Sequence, residues 1–352
     1  MIQKQKIIKK VLQKEQLDAF LFFSPENRFW LTNFQSSLGY LLALPLENYL
    51  LVDGRYITTA QRTARNCQVQ LWRKLTDIKQ LFEKLQVKSV GFEKGHITVE
   101  QLEQLKKQIT NVDWVGVNTS KLRMIKTKEE IDRIKQAAKI TDQAYQSFLK
   151  KVKIGMSEKD LAELIEALLK KQGAEKLSFD TIVVSGQNGA LPHGQPSEKL
   201  IREGELITVD FGCKYQGFCS DFTRTFATGE EINLQLKEIY QIVQQAQWKG
   251  IQAVKSGLKC SEIDQIVRKY IQAKGYNEYF VHSTGHGLGI EVHEEPSISA
   301  KDKTILQPGM IITIEPGIYI PNLGGVRIED DVLVTENGYE LLTKSTRELI
   351  YI

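Results

Sequence analysis

The chain predicts a duplicated α+β domain preceded by a smaller α/β domain, and three observations carry that prediction. The segment LIREGELITVDFG (Leu200–Gly212) returns as ILQPGMIITIEPG (Ile305–Gly317), about 105 residues later, with Gly204 on Gly309, Thr208 on Thr313, and Asp210 on Glu315. Upstream of each copy, VKIGMSEKDLAELIEALLKKQG (Val152–Gly173) and VKSGLKCSEIDQIVRKYIQAKG (Val254–Gly275) match at nearly the same offset. Ahead of both, residues 1 to about 120 alternate apolar strand patterns with helical ones, the signature of an α/β layer. Two long-spaced copies are too few for a solenoid, so an internal pseudo-two-fold duplication is the reading.

In chain order, a first helix carries Ile7, Ile8, Val11 and Leu12 at helical spacing and leads to the strand DAFLFFS and a loop around Pro25. Strands follow near YLLALPL and NYLLVD, the second ending at Asp53-Gly54-Arg55-Tyr56. Helices are expected near 56–66, 76–86 and 98–109, and strands at 68–72 and VKSVGFE. The domain boundary is placed in the polar stretch Asn118–Lys128, giving domains 1–121 and 122–352. A long helix from Lys128 to Lys151 then presents Ile131, Ile134, Ala138, Tyr145 and Phe148 as its apolar stripe.

Composition narrows the function class. The 352 residues carry a net charge of +4 from interspersed lysines and glutamates, too mild for a nucleic-acid or membrane partner. The basic N-terminus lacks the apolar run of a targeting segment, and YLLALPLENYLLV is broken by Pro45, Glu47 and Asn48 before membrane length. Cys67, Cys213, Cys219 and Cys260 form no CxxC pair and read as reduced thiols. The expectation is a cytoplasmic enzyme.

The chemistry lies in the duplicated strands. In LITVDF, Leu206, Thr208 and Asp210 share one face while Ile207, Val209 and Phe211 share the other, so Asp210 sits on a buried element. A lone acid there would be paired with Lys or Arg, but the repeat supplies Glu315, and the two return strands supply Asp221 and Glu329. Facing half-domains would pool four carboxylates, and two unit charges about 4 Å apart repel by roughly 4 kcal/mol at an effective dielectric of about 20. Either several are protonated, or two dications balance them; oxygen-rich ligands suit hard or borderline metals such as manganese.

Of five histidines, His193, His282, His286 and His293 fall in loops around these strands, while His96 reads as a loop histidine of the front domain. His282 and His286 have the HExxH spacing, but Ser283 replaces its glutamate and Gly285, Gly287 and Gly289 disfavour a helix. A glycine-rich turn that lets backbone approach a ligand is expected instead. Arg327, two residues before Glu329, should face the same site and hold Glu329 or the substrate. Thr208 and Thr313 should donate hydroxyls to the ligand carboxylates. Asp330 should face away, Asp331 should be structural, and Arg224 should anchor an acid.

Together DFG with its following SD, HSTGHG, IEPG and GVRIED resemble the dinuclear metallopeptidases of the pita-bread fold, over about residues 122–352. The nearer branch is proline-specific, aminopeptidase P and prolidase, whose smaller creatinase-like N-terminal domain residues 1–121 resemble more loosely. The resemblance implies Asp210, Asp221, His286, Glu315 and Glu329 as ligands of two divalent ions, manganese by expectation, with cobalt or zinc as alternatives. It implies hydrolysis by a metal-activated hydroxide, with Glu315 as general base and His193, His282 and His293 around the substrate. His282 or His293, as a protonated imidazole, would stabilise the oxyanion. His193, His293, Tyr319 and Arg327 would contact a peptide with proline in second position, and a homodimer is implied. Methionine aminopeptidase usually lacks the front domain and the GVRIED form, creatinase does not keep the ligands, and non-enzymatic pita-bread proteins typically lose them. The DGRY segment and the chain length favour aminopeptidase P, with prolidase as the alternative.

Overall fold

The structure, a computed structural model, describes residues 2–352, which fall into two compact units, 2–122 and 123–352. In the first unit the alternating pattern becomes α1 (Ile2–Glu15), β1 (Ala19–Phe22), α2 (Pro25–Thr32), β2 (Tyr40–Ala43), β3 (Asn48–Val52) and α3 (Ile57–Thr63). It continues through β4 (Gln68–Leu71), α4 (Leu75–Lys84), β5 (Ser89–Glu93), α5 (Val99–Gln108) and β6 (Asp113–Val117). The six strands form one mixed sheet in the order β4-β3-β2-β1-β5-β6.

Two elements depart from the sequence expectation. Residues around Pro25 form a helix rather than a loop: Ser24 accepts from the Asn27 N–H as its cap, and Pro25 needs no intrahelical donor in the first turn. The segment 113–117, for which no strand was expected, pairs parallel with β5 and closes the sheet edge.

The second unit opens with α6 (Lys128–Leu149) and α7 (Glu158–Lys171), each started by a capping box, Thr127 with Glu130 and Ser157 with Asp160. There follow β7 (Lys176–Leu177), β8 (Ile182–Ser185), β9 (Leu206–Phe211), β10 (Cys213–Tyr215), β11 (Phe218–Cys219) and β12 (Phe222–Ala227). The second half supplies α8 (Leu234–Ala253), α9 (Cys260–Ala273), β13 (Gly285–Gly287), β14 (Glu294–Ile298) and β15 (Ile311–Ile314). It ends with β16 (Gly317–Ile320), β17 (Gly324–Arg327), β18 (Asp330–Thr335) and β19 (Gly338–Leu341).

Strand parity sorts these side chains. Ile207, Val209 and Phe211 of β9 enter a core with Tyr145 and Phe148 of α6 and Leu161 and Ile165 of α7. In the repeat, Ile312 and Ile314 of β15 pack with Ile251 of α8 and Ile263 of α9. Burying each such side chain contributes about 1.5–3 kcal/mol, so neither strand can turn over to hide its polar face. Asp210 is thereby committed to the side opposite the helices, and Glu315, which directly follows β15, continues the same parity. On the α6 stripe Ile134, Ala138, Tyr145 and Phe148 are buried and Ile131 is half-buried.

Candidate metal centre

Six strand-borne or joint-borne side chains meet in one cavity of about 390 Å³, lined among others by Asp210, Asp221, His286, Glu315, Arg327 and Glu329, with His193, His282 and His293 at its walls. Asp210 ends the polar face of β9, Asp221 lies in the joint before β12, and Glu329 lies in the joint between β17 and β18. His286 is the middle residue of β13. Atoms of Asp221, His286 and Glu329 come within 4.8 Å of one another, and His286 Nε2 is 3.3 Å from Glu315 Oε1 and 3.6 Å from Asp221 Oδ2.

The imidazole is oriented. His286 Nδ1 lies 3.1 Å from the Gly287 carbonyl, which can only accept, so Nδ1 carries the proton and the Nε2 lone pair faces the acids. Burial and the neighbouring His293 ring, 4.2 Å away centre to centre, depress its basicity to a pKa of about 3. Burial, then the Glu329 and Asp210 charges, push the Asp221 carboxyl well above its ordinary range. Burial with Glu315 and Asp210 does the same to Glu329. Burial lifts Glu315 to about 7, partly offset by Arg327. The protein has gathered acids that repel and a lone pair that finds no proton.

Hydrogen bonds outside the ligand set differ in detail from the sequence expectation. Arg327 does not hold Glu329. Its Nη2 donates to Asp210 Oδ2 at 2.7 Å, its Nη1 to the Tyr319 hydroxyl at 2.9 Å and the Pro192 carbonyl at 3.0 Å, and its Nε to Thr223 Oγ1 at 3.2 Å. Thr208 touches no ligand either: its hydroxyl lies 2.8 Å from that of Thr225, because β9 and β12 pair Thr208 with Thr225 and Asp210 with Thr223. Thr223, which sequence reading missed, donates to Glu329 Oε2 at 2.7 Å. Its signal was available, since DFTRTF alternates Thr223 and Thr225 against Phe222, Arg224 and Phe226. Thr313 does reach Glu315 Oε1, at 3.4 Å, and accepts the His286 N–H at 3.1 Å.

Gly285 and Gly287 serve strand pairing rather than a ligand-cradling turn. A Cβ on Gly285 would stand 2.0 Å from the Thr313 carbonyl oxygen, and one on Gly287 2.3 Å from that of Glu295. Asp330 faces away, into Arg224 Nη2 at 2.8 Å and Arg347 Nε at 2.6 Å, and Asp331 accepts the Asp221 N–H at 3.1 Å.

His282 is held neutral, contrary to a protonated imidazole there. Its Nδ1 donates to the Ser283 carbonyl at 2.7 Å, leaving Nε2 to accept from the Tyr319 hydroxyl at 2.9 Å. Burial, then the Arg327 charge, lower its pKa to about 4. By contrast, no hydrogen bond to a ring nitrogen of His193 or His293 occurs among the described residues.

Residues 132–336 match metallopeptidase family M24, and residues 5–125 match the creatinase/prolidase N-terminal domain. The chain belongs to metallopeptidase family M24. Over 343 residues, 96% of each chain, it is 43% identical to an uncharacterized peptidase of Bacillus subtilis, YqhT. Its fold matches the Xaa-Pro dipeptidase from Bacillus anthracis with a TM-score of 0.96 at 40% identity, covering 100% of this chain and 99% of the other. It matches the X-Pro aminopeptidase from Thermotoga maritima with a TM-score of 0.92 at 32% identity, covering 99% of this chain and 100% of that one. The protein is thus a metallopeptidase of the proline-specific, pita-bread branch, with a creatinase-type N-terminal domain ahead of the catalytic one. No helix among the described residues is long and apolar enough to cross a membrane.

Members of the family use dinuclear centres of divalent metal, and the residues here fit such a group. Asp210 Oδ1 and Glu329 Oε1 are buried without any hydrogen-bond partner, each next to an oxygen of the same carboxylate that is engaged. Orphaned buried oxygens beside an inward-facing imidazole lone pair are the donor set of a cation site.

Proposed function

We propose that the protein is a Xaa-Pro aminopeptidase that releases the N-terminal residue from peptides with proline in second position. The convergence of four acids and one imidazole in a single cavity carries the hydrolytic part of this reading. Asp210, Asp221, His286, Glu315 and Glu329 would hold two divalent ions, manganese by preference. When bound, such a pair acidifies a water molecule and polarises the scissile carbonyl.

The side chains of this chain do the rest. Glu315, whose carboxylate lines the cavity among the other acids, takes the proton of the attacking water and returns it to the departing proline nitrogen. An amide nitrogen departs only once protonated, so the group that took the water's proton serves as the acid of the second step. His193 and His293, whose ring nitrogens are uncommitted, bind the substrate, and His293 donates to the oxyanion. Neutral His282 is part of the Arg327–Tyr319–His282 relay, which fixes the wall against which proline rests.

Length preference follows from charge. Among the described residues Arg327 is the one permanent cation lining the cavity, and Asp210, Tyr319, Pro192 and Thr223 occupy it. Among the described lining residues no lysine or uncommitted arginine is left to pair with a free carboxylate immediately after proline, which favours longer peptides over dipeptides. The alternative, a Xaa-Pro dipeptidase, is favoured by the likeness to the Bacillus anthracis dipeptidase. The manganese-loaded protein should cleave Xaa-Pro-Yaa peptides as well as Xaa-Pro dipeptides, followed by chromatographic separation of products. Cleavage of dipeptides alone would replace the first reading with the second. A homodimer is the expected assembly, tested by light scattering on the eluting protein.

A further inference from the structure

Glu158 stands at the first position of α7, outside the metal centre, and its side chain is fully buried. Among the described residues no cation pairs with it. Instead its carboxylate takes both ends of one loop. Oε1 accepts from the Ser185 N–H at 2.7 Å and the Ser185 hydroxyl at 2.8 Å, where β8 ends. Oε2 accepts from the Ser197 N–H at 3.1 Å and the Ser197 hydroxyl at 2.6 Å, where the loop comes back. Asn188 Nδ2 spans both oxygens at 3.1 and 3.2 Å. The first N–H groups of α7 add to this neck, Glu158 donating to the Lys199 carbonyl at 3.1 Å and Lys159 to that of Ser197 at 3.2 Å.

The loop so closed carries His193 into the cavity. Its crest is tied once more, by Arg327 Nη1 to the Pro192 carbonyl at 3.0 Å. Lys199 Nζ, 2.9 Å from Ser185 Oγ, links the neck to Glu205 at 2.7 Å. A buried carboxylate costs several kcal/mol in desolvation unless every lone pair is met. Here they are met by donors from two chain segments that would otherwise be free to part.

We propose that Glu158 is a positioning residue for substrate binding: it clamps the neck of the 185–197 loop and thereby sets the place of the His193 ring. This rests on the assignment of His193 to the substrate. An α7 residue with no atom in the cavity then controls peptide affinity while leaving the proton transfer at Glu315 alone.

The test uses the full-length, metal-loaded enzyme. Glu158→Gln keeps the shape but replaces one acceptor by a donor facing other donors. It should raise KM for an Xaa-Pro-Yaa peptide about tenfold with kcat changed less than about twofold, the mark of lost ground-state binding. The double variant Glu158→Gln/His193→Ala should be no worse than His193→Ala alone, since both remove one contact. Multiplying penalties, or a fall in kcat matching the rise in KM, would overturn the proposal. Ser197→Ala, which removes a single donor from the neck, should move KM the same way by a smaller factor, and serves if Glu158→Gln does not fold. Carbon-13 histidine spectra of the zinc-loaded protein provide a readout independent of turnover: the His193 signal should shift or broaden in both variants while that of His282 stays. If His193→Ala leaves KM unchanged, the substrate role of His193 fails and the spectra alone decide. An unaltered His193 signal then refutes the clamp.

Discussion

Replacing Thr223 by Val removes one hydroxyl and almost no volume, at a position that contacts the proposed metal ligands without being one. That hydroxyl donates to Glu329 Oε2 at 2.7 Å and accepts from Arg327 Nε at 3.2 Å, and Thr223 itself is fully buried. A hydrogen bond to a charged group contributes about 1.5–3 kcal/mol, which corresponds to a factor of about 10–150 in an equilibrium constant. Glu329 Oε1 has no protein partner, so a carboxylate deprived of Thr223 as well is free to turn away from the centre. Thr223→Val should therefore weaken binding of the more loosely held divalent ion by about 10–100-fold, in line with losses at other ligand-orienting groups. Thr208→Val, one pair along the same ladder, should leave metal affinity unchanged, because the Thr208 hydroxyl meets only Thr225. The assay is calorimetric titration of manganese into the chelator-stripped protein, with Thr223→Ser as the variant that restores the donor. Equal affinities in wild type and Thr223→Val, or equal losses in the Thr208 and Thr223 variants, would refute the reasoning.

Glu315→Gln should cut turnover by at least about 10²-fold, and unchanged peptidase activity would point to a peptide-binding protein instead. In the metal-free protein the same variant also reports pH linkage. A carboxyl whose folded pKa is raised to about 7 favours the folded state while protonated. Its contribution is complete below the unfolded value of about 4.3 and is lost as pH rises to about 7. Metal-free wild type should therefore lose stability relative to metal-free Glu315→Gln between pH 5 and about 7.5, read by thermal melting. Glu329 and Asp221, raised in part by the Glu315 charge, relax in the variant and add to the difference with the same sign, while His282 is present in both proteins and drops out. Arg224→Met should destabilise the protein by about 3–5 kcal/mol, by chemical denaturation, because it strands Asp330 and the carbonyls of Glu329 and Ser345 in the core. A loss under about 1 kcal/mol would mean Arg347 and Gln247 suffice to hold Asp330.

Which acids face inward could be decided from the chain alone. Alternation in LITVDF and its second copy in MIITIEP assign each residue a side, and the sheet face that packs on helices must be the apolar one. The repeat then placed Asp210 and Glu315 on matching strands, and Asp221 and Glu329 on the returns. Parity is a property of neighbouring residues, which is why it survives without coordinates. The front unit was legible for the same reason, except at Pro25, where a capped first turn makes proline a helix starter, and at 113–117, where pairing with β5 makes the edge strand.

Partnership was decided only by tertiary structure. Arg327 reaches Asp210, separated by 117 positions, instead of Glu329 two residues on, and Thr223 rather than Thr208 serves a ligand. Those choices depend on the register between strands and on how two half-domains meet. The distance of closest approach between groups far apart in sequence is set by packing, and no local pattern encodes it. Glu158 makes the point most sharply: in sequence it is one more acid opening a helix, and only burial between Ser185 and Ser197 turns it into the neck of a loop.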